Sequence, residues 1–145
     1  MSEKDVERVE WAMEVTRTEK ISKPSGLKAV WGDKRQRVWI AMALAQDTEL
    51  LLLDEPTTYL DVRYQIQILQ LVRRLNEEYG LTIVMVLHDI NQALYYSDEI
   101  LAMKEGKMIG QGVPEEILTE ELLEEIYGVR LPVFTVEKKP FILAV

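Results

Sequence analysis

Residues 50–61 decide the fold. They read "LLLLDEPTTYLD", four leucines that run directly into two adjacent carboxylates. An ionised carboxylate in an apolar setting must be paired, bound to a metal or placed at an exposed edge. We therefore expect Asp54 and Glu55 to mark the end of a buried strand. A second apolar run, "LTIVMVLHD" at residues 81–89, has the same form and ends in His88 and Asp89.

Both apolar runs are continuous rather than alternating, which is typical of parallel strands covered on both faces in an α/β fold. Between and around them, apolar residues recur at helical spacing, and Pro or Gly marks the breaks. Gly80 is expected to end the long central helix. The predicted helices cover residues 4–20, 34–46, 62–79, 90–97, 114–118 and 120–127, the predicted hairpin lies within 99–112, and β-rich stretches lie at 132–136 and 140–145.

Composition excludes several classes of function. The chain has 17 Lys and Arg against 25 Asp and Glu, a net charge of −8, which argues against nucleic acid as a partner. It has no cysteine and a single histidine, so disulfides, thiolate metal sites and histidine clusters are excluded. No apolar run approaches the roughly 20 residues that span a bilayer, and the charged N-terminus does not resemble a signal peptide. These features predict a cytosolic protein.

Ligands of open parallel sheets bind at the carboxyl ends of the strands. We therefore expect Asp54, Glu55 and His88 to converge on one rim of the sheet. Asp54 could hold Mg²⁺, Glu55 could orient or deprotonate a water, and His88 could bond a phosphoryl oxygen or that water. Taken singly, Asp54 could be a turn residue and His88 a core histidine. The whole string favours the catalytic interpretation.

Two further aspartates have a structural interpretation of their own. Asp61 precedes the helix predicted to begin at Val62, and Asp89 precedes the helix predicted to begin at Ile90. Aspartate is a favoured N-cap, because its carboxylate accepts hydrogen bonds from the first free amides of a helix.

Several strings together resemble the ATP-binding cassette (ABC) ATPases that drive membrane transporters. "LLLLDE" is similar to the Walker B strand, "TTYLD" to the D-loop, "VLHD" to the switch-histidine segment and "RQRVWIAMALAQ" to the helix after the family's signature sequence. Residues 81–145 resemble the branch that serves ferric-siderophore, haem and cobalamin importers.

The resemblance implies a P-loop NTPase-like three-layer α/β fold with a largely parallel sheet, and ATP and Mg²⁺ as cofactors. By this resemblance Asp54 belongs to the Mg²⁺ shell, Glu55 is the general base and His88 senses the γ-phosphate. Asp61 lies at a dimer interface, and Gly32 is the surviving glycine of the nucleotide-binding signature. The implied partners are a membrane permease and a second ATPase subunit, at the cytoplasmic face of the membrane.

The sequence departs from the family in two places. The phosphate-binding string G-x-x-x-x-G-K-[ST] does not occur in the 145 residues. "VWGDK" at residues 30–34 stands where the family has Leu-Ser-Gly-Gly-Gln, so that Trp31 adds bulk and Asp33 adds negative charge near the expected phosphate. We favour a structural role for this segment, with Asp33 capping a helix and Trp31 packing.

The expected organisation is therefore an incomplete ABC ATPase domain whose N-terminal part is missing. Residues 1–33 are assigned to the rest of a helical subdomain, 34–113 to the C-terminal half of the catalytic core, and 114–145 to C-terminal helices and a β extension.

Three functional hypotheses follow. The first is a truncated or split importer ATPase that hydrolyses ATP poorly alone and needs a missing N-terminal half. The second is a catalytically silent subunit that docks on a full-length ATPase or permease, and the third is a folded gene remnant. Unpaired edges of the strands at 49–54 and 82–87 also predict self-association.

Overall fold

The structure is a computed structural model that describes residues 2–21, 33–136 and 139–143. The chain divides into two compact units, Met1–Val86 and Leu87–Val145. The domain boundaries expected after residues 33 and 113 stay predictions.

The first unit contains three helices and a pair of strands. The elements in chain order are α1 (Glu3–Thr16), a 3₁₀ turn (Glu19–Ile21), α2 (Asp33–Leu44), β1 (Leu50–Asp54), α3 (Val62–Tyr79) and β2 (Thr82–Val86). Strands β1 and β2 pair in parallel, with Leu50 opposite Thr82 and Asp54 opposite Val86. The predicted parallel pairing of the two apolar runs is confirmed.

The N-terminal helix α1 is shorter than predicted. A reciprocal capping box between Ser2 and Asp5 starts it, and Arg17 ends it with a left-handed φ of 59°. Helical spacing predicts one buried face formed by Val6, Val9, Ala12, Met13 and Thr16. This prediction is partly wrong, because Val6 and Val9 are exposed. The buried contacts lie in the second half of the helix, at Ala12, Val15 and Thr16.

Helix α3 has the bounds that the sequence predicts. Asp61 caps its first turn, and Gly80 ends it with a φ of 68°. Its apolar face carries the first unit's core, and the buried residues are Ile68, Leu69, Leu71, Val72 and Leu75. All of these except Leu69 pack with residues of α1, α2, β1 and with Leu81 into one hydrophobic cluster.

The sheet of the first unit is covered on one face only. Leu51 is buried and Leu53, Ile83 and Met85 pack against the core. On the opposite face, Leu52 is 69% exposed, and Leu50, Val84 and Val86 are also exposed. The expectation that both faces are covered is therefore wrong for the part of the chain that the structure describes.

The sequence of α2 is apolar almost all round after its basic start, which predicts a helix buried on all sides, and this prediction is also wrong. Trp39 is 56% exposed and Met42 is exposed as well, while Ile40, Ala41 and Leu44 are buried. The helix packs mainly against α1 and α3.

The second unit contains short helices and two antiparallel hairpins. Its elements are α4 (Ile90–Tyr96), β3 (Ile100–Lys104), β4 (Lys107–Gly112), α5 (Pro114–Ile117), α6 (Glu120–Tyr127), β5 (Val133–Val136) and β6 (Lys139–Ile142). Glu105 and Gly106 both have positive φ, 49° and 75°, as a type I′ hairpin turn requires. The predicted hairpin and acidic helices are confirmed.

Leu94, Leu123 and Ile142 form the buried centre of the second unit. The side-chain amide of Asn91 links α4 to β6: its Nδ2 donates to the Ile142 carbonyl at 2.9 Å, and its Oδ1 accepts from the Ile142 amide at 2.8 Å.

Among the helices described in either unit, none combines the length and the hydropathy needed to cross a bilayer.

Candidate functional site

Asp54 is the last residue of β1, and its side chain is exposed. Side chains alternate along a strand, so Asp54 projects to the same side as Leu50 and Leu52, which is the open face of the sheet. The carboxylate thus stands at the carboxyl end of a parallel strand with solvent access, as the sequence predicts.

Glu55 is held in a turn directly after β1. Its backbone is left-handed, with a φ of 49°, which is uncommon for a residue with a side chain. The Thr58 hydroxyl donates a hydrogen bond to Glu55 Oε2 at 3.1 Å, and the Thr58 amide donates to the Glu55 carbonyl at 3.2 Å. Pro56 and Thr57 are buried beneath the turn. The half-buried Glu55 carboxylate is therefore oriented by its own turn.

Sequence reasoning missed Thr58 as a residue that positions Glu55. The signal was available, because a threonine three residues after a turn carboxylate can reach back to it.

Asp61 functions structurally as an N-cap, because its Oδ1 accepts a hydrogen bond from the Tyr64 amide at 3.2 Å. The adjacent Leu60 carbonyl accepts from Gln65 Nε2 at 2.9 Å, which ties the turn to the first turn of α3. Tyr59 projects fully into solvent from this turn, with a φ of 63°. The cap interpretation of Asp61 is confirmed, and its proposed place at a dimer interface stays a prediction.

His88 belongs to the second unit, two residues after the end of β2, and its side chain is exposed. The alternative interpretation of His88 as a core histidine is therefore wrong. Asp89 caps α4, accepting a hydrogen bond from the Gln92 amide at 3.0 Å. Asp54 and Glu55 belong to the first unit, so the convergence of His88 with them stays a prediction.

Gly32 and Trp31, the signature positions singled out in the sequence, lie outside the described residues. The structure resumes at Asp33, which is the first residue of α2. The expected roles of Gly32 in nucleotide binding and of Trp31 in packing stay predictions.

The residues at the end of β1 suit a cation that is held mainly by a bound nucleotide. Within residues 2–21, 33–136 and 139–143, no three His, Cys, Asp or Glu side chains come together as a metal cage. Mg²⁺ in nucleotide sites needs only one or two carboxylates, with waters and phosphate oxygens as its other ligands. The exposed Asp54 carboxylate fits that role.

Partial burial raises the pKa of the Tyr127 phenol, although the residue is 49% exposed, and the nearby negative charge of Asp89 raises the pKa further. Both residues belong to the second unit. The phenol of Tyr127 therefore stays protonated to a higher pH than a free tyrosine does.

The chain is similar to curated proteins and to solved structures. No family model matches it. It is 50% identical over 141 residues to the petrobactin import ATP-binding protein FpuC of Bacillus anthracis, covering 97% of this chain and 52% of that protein. It is 49% identical over 126 residues to the ferric enterobactin transport ATP-binding protein FepC of Escherichia coli, covering 87% of this chain and 46% of that protein.

The fold of this chain also matches that of a solved protein structure. An inward-facing ABC transporter of metal-chelate type superposes with a TM-score of 0.86 at 24% identity, covering 99% of this chain and 58% of that one. The fold is that of an ABC ATPase, a P-loop NTPase-like α/β domain. Within that class, the chain is a homologue of the ATP-binding subunits of iron–siderophore importers, and it spans about half the length of the curated relatives it matches.

Proposed function

We propose that the chain serves in ATP-driven import of an iron chelate, as part of the ATP-hydrolysing component. The observation that carries this proposal is the 50% identity to a petrobactin import ATP-binding protein across 97% of the chain. A ferric siderophore is the favoured cargo, with haem and cobalamin as related alternatives. The component acts at the cytoplasmic face of the membrane, with a permease and a second ATPase subunit as partners.

The proposed chemistry uses the residues after each parallel strand. When bound with ATP, Mg²⁺ neutralises charge on the phosphates. Asp54 would hold that ion directly, or would accept hydrogen bonds from the waters bound to it. Glu55, oriented by Thr58, takes the proton of the attacking water, and His88 hydrogen-bonds the γ-phosphate. Asp61 and Gly32 contribute at the interface between two ATPase subunits.

The phosphates themselves need a further binding element. A lysine and a run of backbone amides hold them in P-loop enzymes, and the 145 residues contain no such string. In this proposal the cradle comes from residues outside these 145. The 145-residue chain alone should therefore bind Mg-ATP weakly and hydrolyse it poorly. Titration calorimetry that gives micromolar Mg-ATP affinity for this chain alone would contradict that expectation.

The decisive experiment supplies the phosphate-binding part from a relative. The chain is co-expressed with the first half of FpuC, and Mg-dependent ATP hydrolysis is measured. Glu55→Gln should abolish turnover and leave nucleotide binding intact, because only water activation is lost. Glu49→Gln is the matched control, since Glu49 is an exposed glutamate just before β1 with no proposed role. Equal turnover in Glu55→Gln and the parent pair would overturn the assignment.

A second candidate function is favoured by the open apolar face of β1 and β2, where Leu52 is 69% exposed. Such a face is typical of an interaction surface. The chain would then be a catalytically silent subunit that docks on a full-length ATPase or a permease. If the complemented chain never hydrolyses ATP but binds intact FpuC stably, this second function replaces the first.

A further inference from the structure

A cavity of about 300 Å³ lies in the first unit beside α1, α2 and α3. Its polar lining consists of three arginines and two glutamines: Arg17, Arg37, Arg74, Gln67 and Gln70. Among the described residues that line it there is no carboxylate. A cationic pocket of this kind is unusual in a chain whose net charge is −8.

Two of the arginines are held in place by the C-terminal end of α1. Arg37 Nη1 donates to the Thr16 carbonyl at 3.4 Å, and Arg37 Nη2 donates to Gln67 Oε1 at 3.3 Å. Arg74 Nη2 donates to the Val15 carbonyl. Free carbonyls at a helix C-terminus attract cations, so these bonds orient the two guanidinium groups. The pocket is consequently preorganised.

Capping of α1 leaves one hydrogen-bond donor of Arg74 and the charge of Arg17 without a partner among the described residues. Arg74 forms a long ion pair with Glu78, but the 3.9 Å between Nε and Oε2 is too far for a hydrogen bond, and Arg74 Nε is buried without an acceptor in the described part of the chain. Arg17, at the left-handed position after α1, makes no ion pair with any described carboxylate. A buried donor without an acceptor is unfavourable, and like charges in one cavity repel each other. A bound anion would relieve both costs.

We propose that this arginine pocket binds a small oxyanion that carries at least two negative charges, either a phosphate or a dicarboxylate. Guanidinium groups match both through paired N–H donors, and the glutamine amides add neutral hydrogen bonds. The volume is at the lower end for small-molecule sites, which restricts the ligand to a compact one. The pocket uses none of the residues assigned to ATP hydrolysis, so its function is independent of that proposal.

The test is a titration of the 145-residue chain with inorganic phosphate, followed by NMR of the arginine Nε–H groups. Sodium chloride holds the ionic strength at about 0.15 M throughout, so that screening does not change. We expect saturable shifts at Arg17 and Arg74. A parallel titration with succinate distinguishes the two ligand classes, because the tighter ligand identifies the preferred one.

Arg17→Gln should weaken phosphate binding by about fivefold or more, because one charge-assisted contact is lost. Arg17 is exposed and follows α1, so this variant should fold. Gln70→Ala provides a second variant, which removes a lining amide without changing charge. Arg63→Gln is the matched control, since Arg63 lies near the Tyr64 ring at 6.0 Å and is not among the residues that line the pocket.

Two results would overturn the proposal. One is a set of shifts that grows linearly with phosphate and is reproduced by extra chloride, which would indicate screening only. The other is unchanged phosphate affinity in both Arg17→Gln and Gln70→Ala, or an equal loss in Arg63→Gln.

Discussion

Glu55 combines a left-handed backbone, with a φ of 49°, and a carboxylate that accepts a hydrogen bond from Thr58. Such backbone conformations cost about 1–3 kcal/mol and persist where the surroundings enforce them. Here the buried Pro56 and Thr57 and the Thr58 hydroxyl supply that enforcement. At the scale of single residues, the turn after β1 therefore fixes the Glu55 carboxylate in one orientation, at a cost in the stability of the fold.

Replacing Thr58 tests this arrangement. Thr58→Val keeps the shape of the side chain and removes the hydroxyl that donates to Glu55 Oε2. Loss of one partly buried hydrogen bond should lower the free energy of unfolding by about 1 kcal/mol. Thr58→Ser retains the donor and should stay within about 0.5 kcal/mol of the parent chain. Urea denaturation measures both, and equal stability of the two variants would mean that this bond is not formed in solution.

Tyr127 gives a prediction about pH. Its phenol pKa is raised from 10.0, first by burial and then by the charge of Asp89. Asp89→Asn preserves a capping oxygen and removes that charge, so the pKa should fall towards 10.0 but stay above it. NMR titration with ring-labelled tyrosine measures the change, and Tyr127→Phe assigns the signal.

The raised pKa also predicts how stability depends on pH. Because the fold favours the protonated phenol, the contribution of Tyr127 is complete below the unfolded pKa of 10.0 and is lost as the pH rises through the folded value. The Tyr127→Phe variant should therefore lose less stability than the parent chain above pH 10. A parallel decline of the two proteins would contradict the shift.

At the scale of elements, the sequence predicts best where capping residues limit an element. Helix α3 is predicted to the residue because Asp61 and Gly80 impose its ends locally. The type I′ turn at Glu105 and Gly106 is also local. By contrast, the exposure of Leu52 and Trp39 depends on which elements pack beside them, and an apolar sequence pattern does not record that. The carboxylates after β1 follow from the strand pattern. The spacing of Thr58 from Glu55 permits a hydrogen bond between their side chains, but only the folded turn shows that this bond forms.

Two variants of Asp61 test its role as the N-cap of α3. Asp61→Ala removes the acceptor of the Tyr64 amide and should destabilise the chain by about 1 kcal/mol. Asp61→Asn keeps a capping oxygen, so its cost should stay within about 0.5 kcal/mol. Thermal and urea unfolding compare the two. If Asp61→Asn is as unstable as Asp61→Ala, the charge of Asp61 rather than its capping oxygen carries the effect.

At the scale of the whole molecule, the described part of the chain leaves one face of the β1–β2 sheet uncovered. Strands β1 and β2 have only each other as hydrogen-bonding neighbours in the described part of the chain, so each has an unpaired edge. The open face adds Leu50, Leu52, Val84 and Val86 as a continuous apolar surface. Sheet edges template pairing with another chain, and an apolar patch of this kind favours association.

We therefore predict that the purified 145-residue chain self-associates through the first unit, by pairing sheet edges or by burying the open face. Multi-angle light scattering should show a mass that rises with concentration. Leu52→Lys should shift the chain towards monomer, because it places a charge in the centre of that face. Val129→Lys is the control, since Val129 is a similarly exposed apolar residue in the second unit. A compact monomer at high concentration would mean that the two strands are stable in solution with one face open, and that the apolar face alone does not bring two copies together.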